Sequence, residues 1–309
     1  MHTLDPRETT VRIPSPNQGL HLFLRHLPPA EDILSRGPVL YVHGGTFPSA
    51  LSIAHRFDGR SWRDELSDDG FDAWGLDFHG FGHSDPYQDT TSKAPLGRTE
   101  DASRQLEQAV RFILAHHGHA RLSLIAHSWG SMVAGHFAAR CPELVDRMVF
   151  FGPIAQRAPS TEAPRLPAWR LITLQDQWDR FTADVPANEP PVLSKRHFAE
   201  WGEAYLDSDP ASRDRDPPSV RTPGGAFQDI FDAWAGHFPF DPNLIQAPTA
   251  IIRGAWDSQC TDADAAWLLA RIPHARDVII PRATHLMHLE ENRYDLYRET
   301  EAFLTAARD

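Results

Sequence analysis

The chain has 309 residues, 41% of them hydrophobic, and carries 30 lysines and arginines against 42 aspartates and glutamates, a formal charge of -12. That length can bury a large core in one domain with an insertion or in two small domains. The acidic balance excludes a nucleic-acid backbone or an anionic membrane as principal partner, so a small-molecule substrate is expected, while composition fixes no oligomeric state.

The N-terminal Met1-His2-Thr3-Leu4-Asp5-Pro6-Arg7-Glu8 lacks the apolar core of a secretory leader. No stretch approaches the roughly 18 consecutive apolar residues of a membrane span, and a cytoplasmic protein is expected. Runs at 10–13 and 20–25 flank the turn-forming Pro16-Asn17-Gln18-Gly19 and predict an antiparallel hairpin. Residues 38–42 are apolar without alternation, as expected of a strand buried on both faces of a parallel sheet. A helix over 60–69, a strand over 71–76 and a long helix over 99–116 follow, the last with Glu100 and Asp101 in its first turn, where the dipole favours them. A strand ending at Ala126, a helix over 129–140 and a strand over 147–151 continue the series, which implies a doubly wound, mostly parallel α/β sheet.

The alternation stops between Pro153 and Pro242. Proline and aromatics are frequent there, and 175–183, 194–206 and 226–235 are the best helical candidates, which reads as an inserted helical cap over 153–242. Alternation resumes with a strand at 249–253, a helix at 262–271, a strand at 277–280 and a final helix over 291–307. The expected organisation is therefore a core of residues 1–152 and 243–309 interrupted by the cap. Cys141 and Cys260 lack zinc-finger spacing and a disulfide framework, and Cys260 reads as a buried free thiol.

The segment Leu122-Ser123-Leu124-Ile125-Ala126-His127-Ser128-Trp129-Gly130-Ser131 carries an apolar strand into a tight turn before a helix. A serine hydroxyl is a weak nucleophile that must sit exposed beside a base, and a sharp strand-to-helix turn presents it so, provided the positions two before and two after are small. Here they are Ala126 and Gly130, a departure from G-x-S-x-G only at the first. The alternative is a serine that caps the helix. A base and an orienting acid belong on loops at the C-terminal ends of later strands. Asp257 follows the strand at 249–253, and His285 follows the strand at 277–280. His285 would take the Ser128 proton and return it to the leaving group, with Asp257 fixing its tautomer. Asp257 as a helix cap and His285 as an ordinary loop histidine are the alternatives. His288 is the rival base, expected one turn into the final helix, and His127 is expected to pack on the far side of the turn. An oxyanion hole would use the backbone N–H of Trp129 and that of Gly45 or Thr46 in the loop His43-Gly44-Gly45-Thr46-Phe47-Pro48, Gly45 being preferred. His43, His79 and His83 lack tight metal spacing, so no metal and no cofactor is expected.

Together the segments His43-Gly44-Gly45, Asp77-Phe78-His79-Gly80-Phe81-Gly82-His83-Ser84-Asp85, Ala126-His127-Ser128-Trp129-Gly130, Trp256-Asp257 and His285-Leu286-Met287-His288-Leu289-Glu290 resemble the α/β-hydrolase superfamily, over nearly all the chain apart from the insertion. The order Ser128, Asp257, His285 is that family's order, and the insertion lies where it places a cap domain. The resemblance implies a serine hydrolase that cleaves an ester, thioester or amide bond of a small, largely apolar substrate through an acyl-enzyme. Cap aromatics such as Trp178, Trp201, Phe231 and Trp234 are candidate pocket walls. Serine at position 128 argues against dehalogenase and epoxide hydrolase relatives, which carry aspartate there. A proline-iminopeptidase-like aminopeptidase is the alternative, although Thr46-Phe47 replaces that group's Pro-Gly. A non-hydrolytic lyase or a ligand-binding member is the other.

Overall fold

The computed structural model describes residues 5–88, 91, 93–158 and 162–307, so the first four residues of the N-terminal segment lie outside it. Strands β1 (Thr9–Pro14) and β2 (His21–Leu27) pair antiparallel as the expected hairpin. β3 (Gly37–Val42), helix α1 (Trp62–Asp68), β4 (Phe71–Asp77), α2 (Thr99–His117), β5 (Leu122–His127), α3 (Trp129–Arg140) and β6 (Val145–Phe151) follow in alternation. Every residue of β3, β4 and β5 is buried, and β3 accordingly reads as an unbroken apolar run, while β4 and β5 also bury Asp72, Asp77, Ser123 and His127. α1 starts at a capping box between Ser61 and Asp64, and α2 stops at Gly118, whose φ of 68° suits glycine.

The chain then leaves the main sheet for β7 (Trp169–Thr173), α4 (Leu174–Thr182), α5 (Lys195–Asp207), β8 (Ser219–Pro223) and α6 (Gly225–Trp234). β7 and β8 form a two-stranded antiparallel sheet, from Trp169 opposite Pro223 to Thr173 opposite Ser219. The insertion is therefore not purely helical, which corrects the expected helical cap. Two five-residue strands separated by α4 and α5 carry no local turn signal, so their pairing is not readable from either segment alone. β9 (Thr249–Gly254), α7 (Asp262–Leu269), β10 (Ala275–Ile280) and α8 (Arg293–Thr305) complete the chain.

The main sheet has eight strands in the order β1-β2-β4-β3-β5-β6-β9-β10, parallel from β4 to β10 with the N-terminal hairpin antiparallel at one edge. Alternate residues of each central strand feed opposite cores. Leu40, Leu124, Ala126, Met148 and Phe150 pack toward α2 and α3, whereas Val39, Tyr41, Ile125, Val149 and Phe151 pack toward α1 and α8. A third cluster joins the insertion to the core loops: Ile172, Phe181, Trp201, Tyr205 and Val220 meet Phe47, Leu51, Leu286 and Leu289. The insertion is thus seated over the C-terminal ends of the strands. Among the described residues no helix is long and apolar enough to cross a membrane.

Candidate active site

β5 delivers Ser128 into a turn with φ 54° and ψ -125°, a left-handed backbone that a non-glycine residue adopts at a cost of about 1–3 kcal/mol. The turn is held by Ser128 N–H donating to the Phe151 carbonyl (3.2 Å) and by the Ser131 N–H and hydroxyl donating to the Ser128 carbonyl (2.9 and 2.6 Å). Gly130 is required here because a Cβ would come within 2.6 Å of the Val42 and His43 carbonyl oxygens. Ser128 makes no side-chain cap bond to α3. Its Oγ instead lies 2.9 Å from His285 Nε2.

His285 Nδ1 lies 3.1 and 3.0 Å from the two carboxylate oxygens of Asp257. A carboxylate only accepts, so Nδ1 carries the hydrogen and Nε2 is left to accept from the serine hydroxyl. Asp257 Oδ1 also accepts the N–H groups of Gln259 (2.8 Å) and Cys260 (3.0 Å), which fixes the carboxylate plane. Ser128, Asp257 and His285 are 4%, 5% and 1% exposed, so the relay sits in a largely dry setting that strengthens each of its bonds. Gly152, at φ 52°, leaves room for it: a Cβ there would lie 2.9 Å from His285 Nδ1.

The neighbouring histidines are settled by their partners. His127 Nε2–H donates to the His285 carbonyl (3.0 Å), so it tethers His285 rather than only packing behind the turn. Burial and the nearby His288, His285 and Arg180 hold its pKa well below the usual range. His288 lies in the loop before α8 and not within a helix, which corrects the expected position. Neither of its nitrogens has a partner among the described residues, and burial with the adjacent His285 lowers its pKa to about 3. His43 Nδ1–H donates to the Gly44 carbonyl (2.7 Å) while Nε2 accepts from Phe78 N–H (3.1 Å). Both ring nitrogens of His79 are likewise taken, by the Asp85 carbonyl and Ser15 Oγ. His26, Asp72 and His117 form a group with metal-ligand spacing on β2, β4 and α2. There the Trp74 indole N–H donates to His117 Nε2 (3.0 Å), which puts the ring hydrogen on Nδ1, the atom that would have to bind an ion.

Glu290 is fully buried behind His285, where its carboxyl accepts from Thr284 N–H (3.1 and 3.2 Å) and Thr284 Oγ1 (2.5 Å). Burial outweighs these bonds and pushes its pKa from 4.5 up to about 8. The folded protein therefore binds a proton between these values that the unfolded chain does not. The resulting stability is fully present below 4.5 and is lost as pH rises through about 8. Glu290→Gln stays neutral, so melting curves from about pH 5 to about pH 9 are expected to show a fall of roughly 5 °C in the wild type that the variant lacks. Equal pH profiles for the two proteins would refute this ionisation.

The loop after β3 lies against the turn, since a Cβ on Gly44 would be 3.4 Å from Ser128 Cβ. Among the described residues the Gly45 and Thr46 amides donate to no protein acceptor. The Trp129 amide opens α3, where the first N–H groups lack intrahelical partners. Trp129 is itself anchored, its indole N–H donating 2.9 Å to Asp229 Oδ2 on α6. The same oxygen accepts Thr99 N–H (2.6 Å) and Thr99 Oγ1 (2.7 Å), and Arg98 pairs with the other. Asp229 escaped the sequence reading, although an acid on the same helix face as Ala226, Ile230 and Ala233 was the available signal.

The candidate pocket aromatics divide. Trp201 is fully buried, stacks on Tyr205 at 5.0 Å and donates its indole N–H to the Leu51 carbonyl (2.9 Å), so it docks the insertion onto the core instead of lining a pocket. Trp178 packs on Phe198 (4.9 Å), Phe231 on Trp234 (6.1 Å), and the Trp234 ring is covered by the Arg157 guanidinium at 4.3 Å. The structure does not bring these rings to the histidine of the relay. Phe227, on α6, reaches the loop after β3, 3.9 Å from where a Gly45 Cβ would stand.

Residues 37–292 match the protein family described as the alpha/beta hydrolase fold. Solved structures agree on the fold. A thermophilic esterase from Thermogutta terrifontis superposes with TM-score 0.60 at 19% identity, covering 96% of this chain and 98% of that one. A serine hydrolase from Cycloclasticus zankles gives 0.60 at 16% identity, over 96% and 97%. Naproxen esterase from Bacillus subtilis gives 0.58 at 17%, over 96% and 92%. The sequence matches no curated protein.

Proposed function

We propose that this chain, which belongs to the alpha/beta hydrolase fold family and is a hydrolase, works as a serine hydrolase on a carboxylic ester, thioester or amide of a small, largely apolar substrate. The observation that carries the reading is the relay from Ser128 Oγ through His285 Nε2 (2.9 Å) and Nδ1 to Asp257 (3.0 Å). Ser128 attacks the carbonyl as His285 takes its proton, and the tetrahedral oxyanion is met by the amides of Trp129 and Gly45, with Thr46 as the neighbouring donor. The C–O, C–S or C–N bond then breaks as His285 protonates the leaving group. Water, deprotonated by the same imidazole, releases the acid and restores the serine. Residues 153–242 act as a cap that closes the substrate in. This arrangement predicts stoichiometric labelling of Ser128 by a fluorophosphonate, seen by intact mass and lost in Ser128→Ala. Hydrolysis in ¹⁸O-water is expected to place one solvent oxygen in the acid product. Full turnover by Ser128→Ala would sink the acyl-enzyme, and a product without solvent oxygen would point to a lyase.

A further inference from the structure

Two arginines of the insertion stand on the Phe227 ring without an ion pair. Arg180 on α4 and Arg170 on β7 each bury an Nη1 that meets no acceptor, and neither is ion-paired among the described residues. Both residues are half-buried, and burial lowers both guanidinium pKa values, that of Arg180 to about 10. Aromatic contact holds both: the guanidinium of Arg170 lies 3.9 Å and that of Arg180 5.9 Å from the centre of the Phe227 ring, which borders the oxyanion loop at Gly45. The charge of Arg180 is felt at His127, beside Ser128, and the next residue, Phe181, shares a cluster with Leu286, beside His285.

Among the described residues, neither guanidinium is hydrogen-bonded to or ion-paired with an acid. Both amide atoms of the buried Gln177 are also without partners, and the Tyr205 hydroxyl is spent on the Ile172 carbonyl (3.1 Å). Asp176, the acid whose field reaches Arg170, is committed to the α4 capping box through Thr173 N–H (2.8 Å) and Oγ1 (2.7 Å). Because the chain as a whole carries a charge of -12, two unpaired cations in this place are a local device and not part of a basic surface. Uncompensated buried charge is tolerated where a ligand supplies the missing partner, and the guanidinium fork matches a carboxylate.

We propose that Arg180 and Arg170 form an anion subsite and that the substrate, otherwise apolar, carries a carboxylate which they grip while Ser128 attacks a separate carbonyl. This rests on the serine-hydrolase reading and narrows it. Two p-nitrophenyl glutarate esters test it, one with its far carboxylate free and one methyl-capped. Wild type is expected to favour the free acid in kcat/KM by about tenfold or more, the scale of a charge-assisted hydrogen bond. That ratio should fall to about one in Arg180→Gln and part of the way in Arg170→Gln. Calorimetric titration supplies a readout independent of turnover: glutarate should bind wild type at least about tenfold more tightly than Arg180→Gln, and neutral glutaramide should not distinguish them. A wild type that labels and hydrolyses the neutral ester but shows no preference for the acid overturns the subsite and leaves the hydrolase reading intact. If neither ester turns over and no label is taken, the hydrolase reading falls, and the titration alone decides the subsite. A preference or a glutarate affinity that survives both substitutions overturns it as well.

Discussion

Asp257→Asn is expected to lower kcat on an activated ester by about four orders of magnitude, with the protein folded and KM little changed. The direction follows from the donors around the carboxylate. Oδ1 receives the amides of Gln259 and Cys260, so an asparagine there must keep its carbonyl oxygen at that position and turn its NH₂ toward His285. A donor facing Nδ1 forces the imidazole hydrogen onto Nε2, which then points at Ser128 Oγ and cannot accept its proton. Burst kinetics check the result: both acylation and steady-state turnover should slow together. A variant within tenfold of wild type would show that Asp257 only caps the loop that follows it.

Asp229→Ala is expected to destabilise the fold by about 2–5 kcal/mol and to slow acylation by about 10²-fold. Arg98 is half exposed, so water screens the loss of its ion pair, and that bond contributes little. Most of the destabilisation comes from the Trp129 indole N–H and the Thr99 N–H, both left buried without an acceptor. Since Trp129 also supplies an amide of the proposed oxyanion hole, freeing its side chain lets that donor drift at the serine. Asp229→Asn keeps an oxygen for these donors and should recover part of both losses. Urea midpoints and kcat measured side by side test the pairing. An alanine variant that lost stability but kept its kcat would confine Asp229 to packing.

The fold was legible where one local cause decided each element. β3, buried on both faces, appears as an unbroken apolar run, and α3 begins and ends where expected because a tight turn precedes it and Cys141-Pro142 closes it. Ser128, Asp257 and His285 could be singled out because each lies within five residues of the C-terminal end of a strand. The structure then brings them within hydrogen-bond distance. Features that depend on distant partners were not readable. The β7 and β8 pairing spans two helices, and the roles of Asp229 and His127 are set by residues about 100 and 158 positions away. Trp201 and Phe227 are both cap aromatics by sequence. Only their burial and contacts tell the docking ring from the one beside Gly45.

The strand order has a temporal meaning. Ser128 hangs from a central strand flanked by β3 and β6, whereas His285 is carried by the exit of β10, the outermost strand, which pairs with β9 alone. On the proposed mechanism, the serine turn can fold during synthesis before His285 has emerged, and activity awaits that late arrival. On the same mechanism, loosening β10 at the rim of the sheet is expected to displace His285 and disarm Ser128 while β3, β5 and β6 keep their pairing.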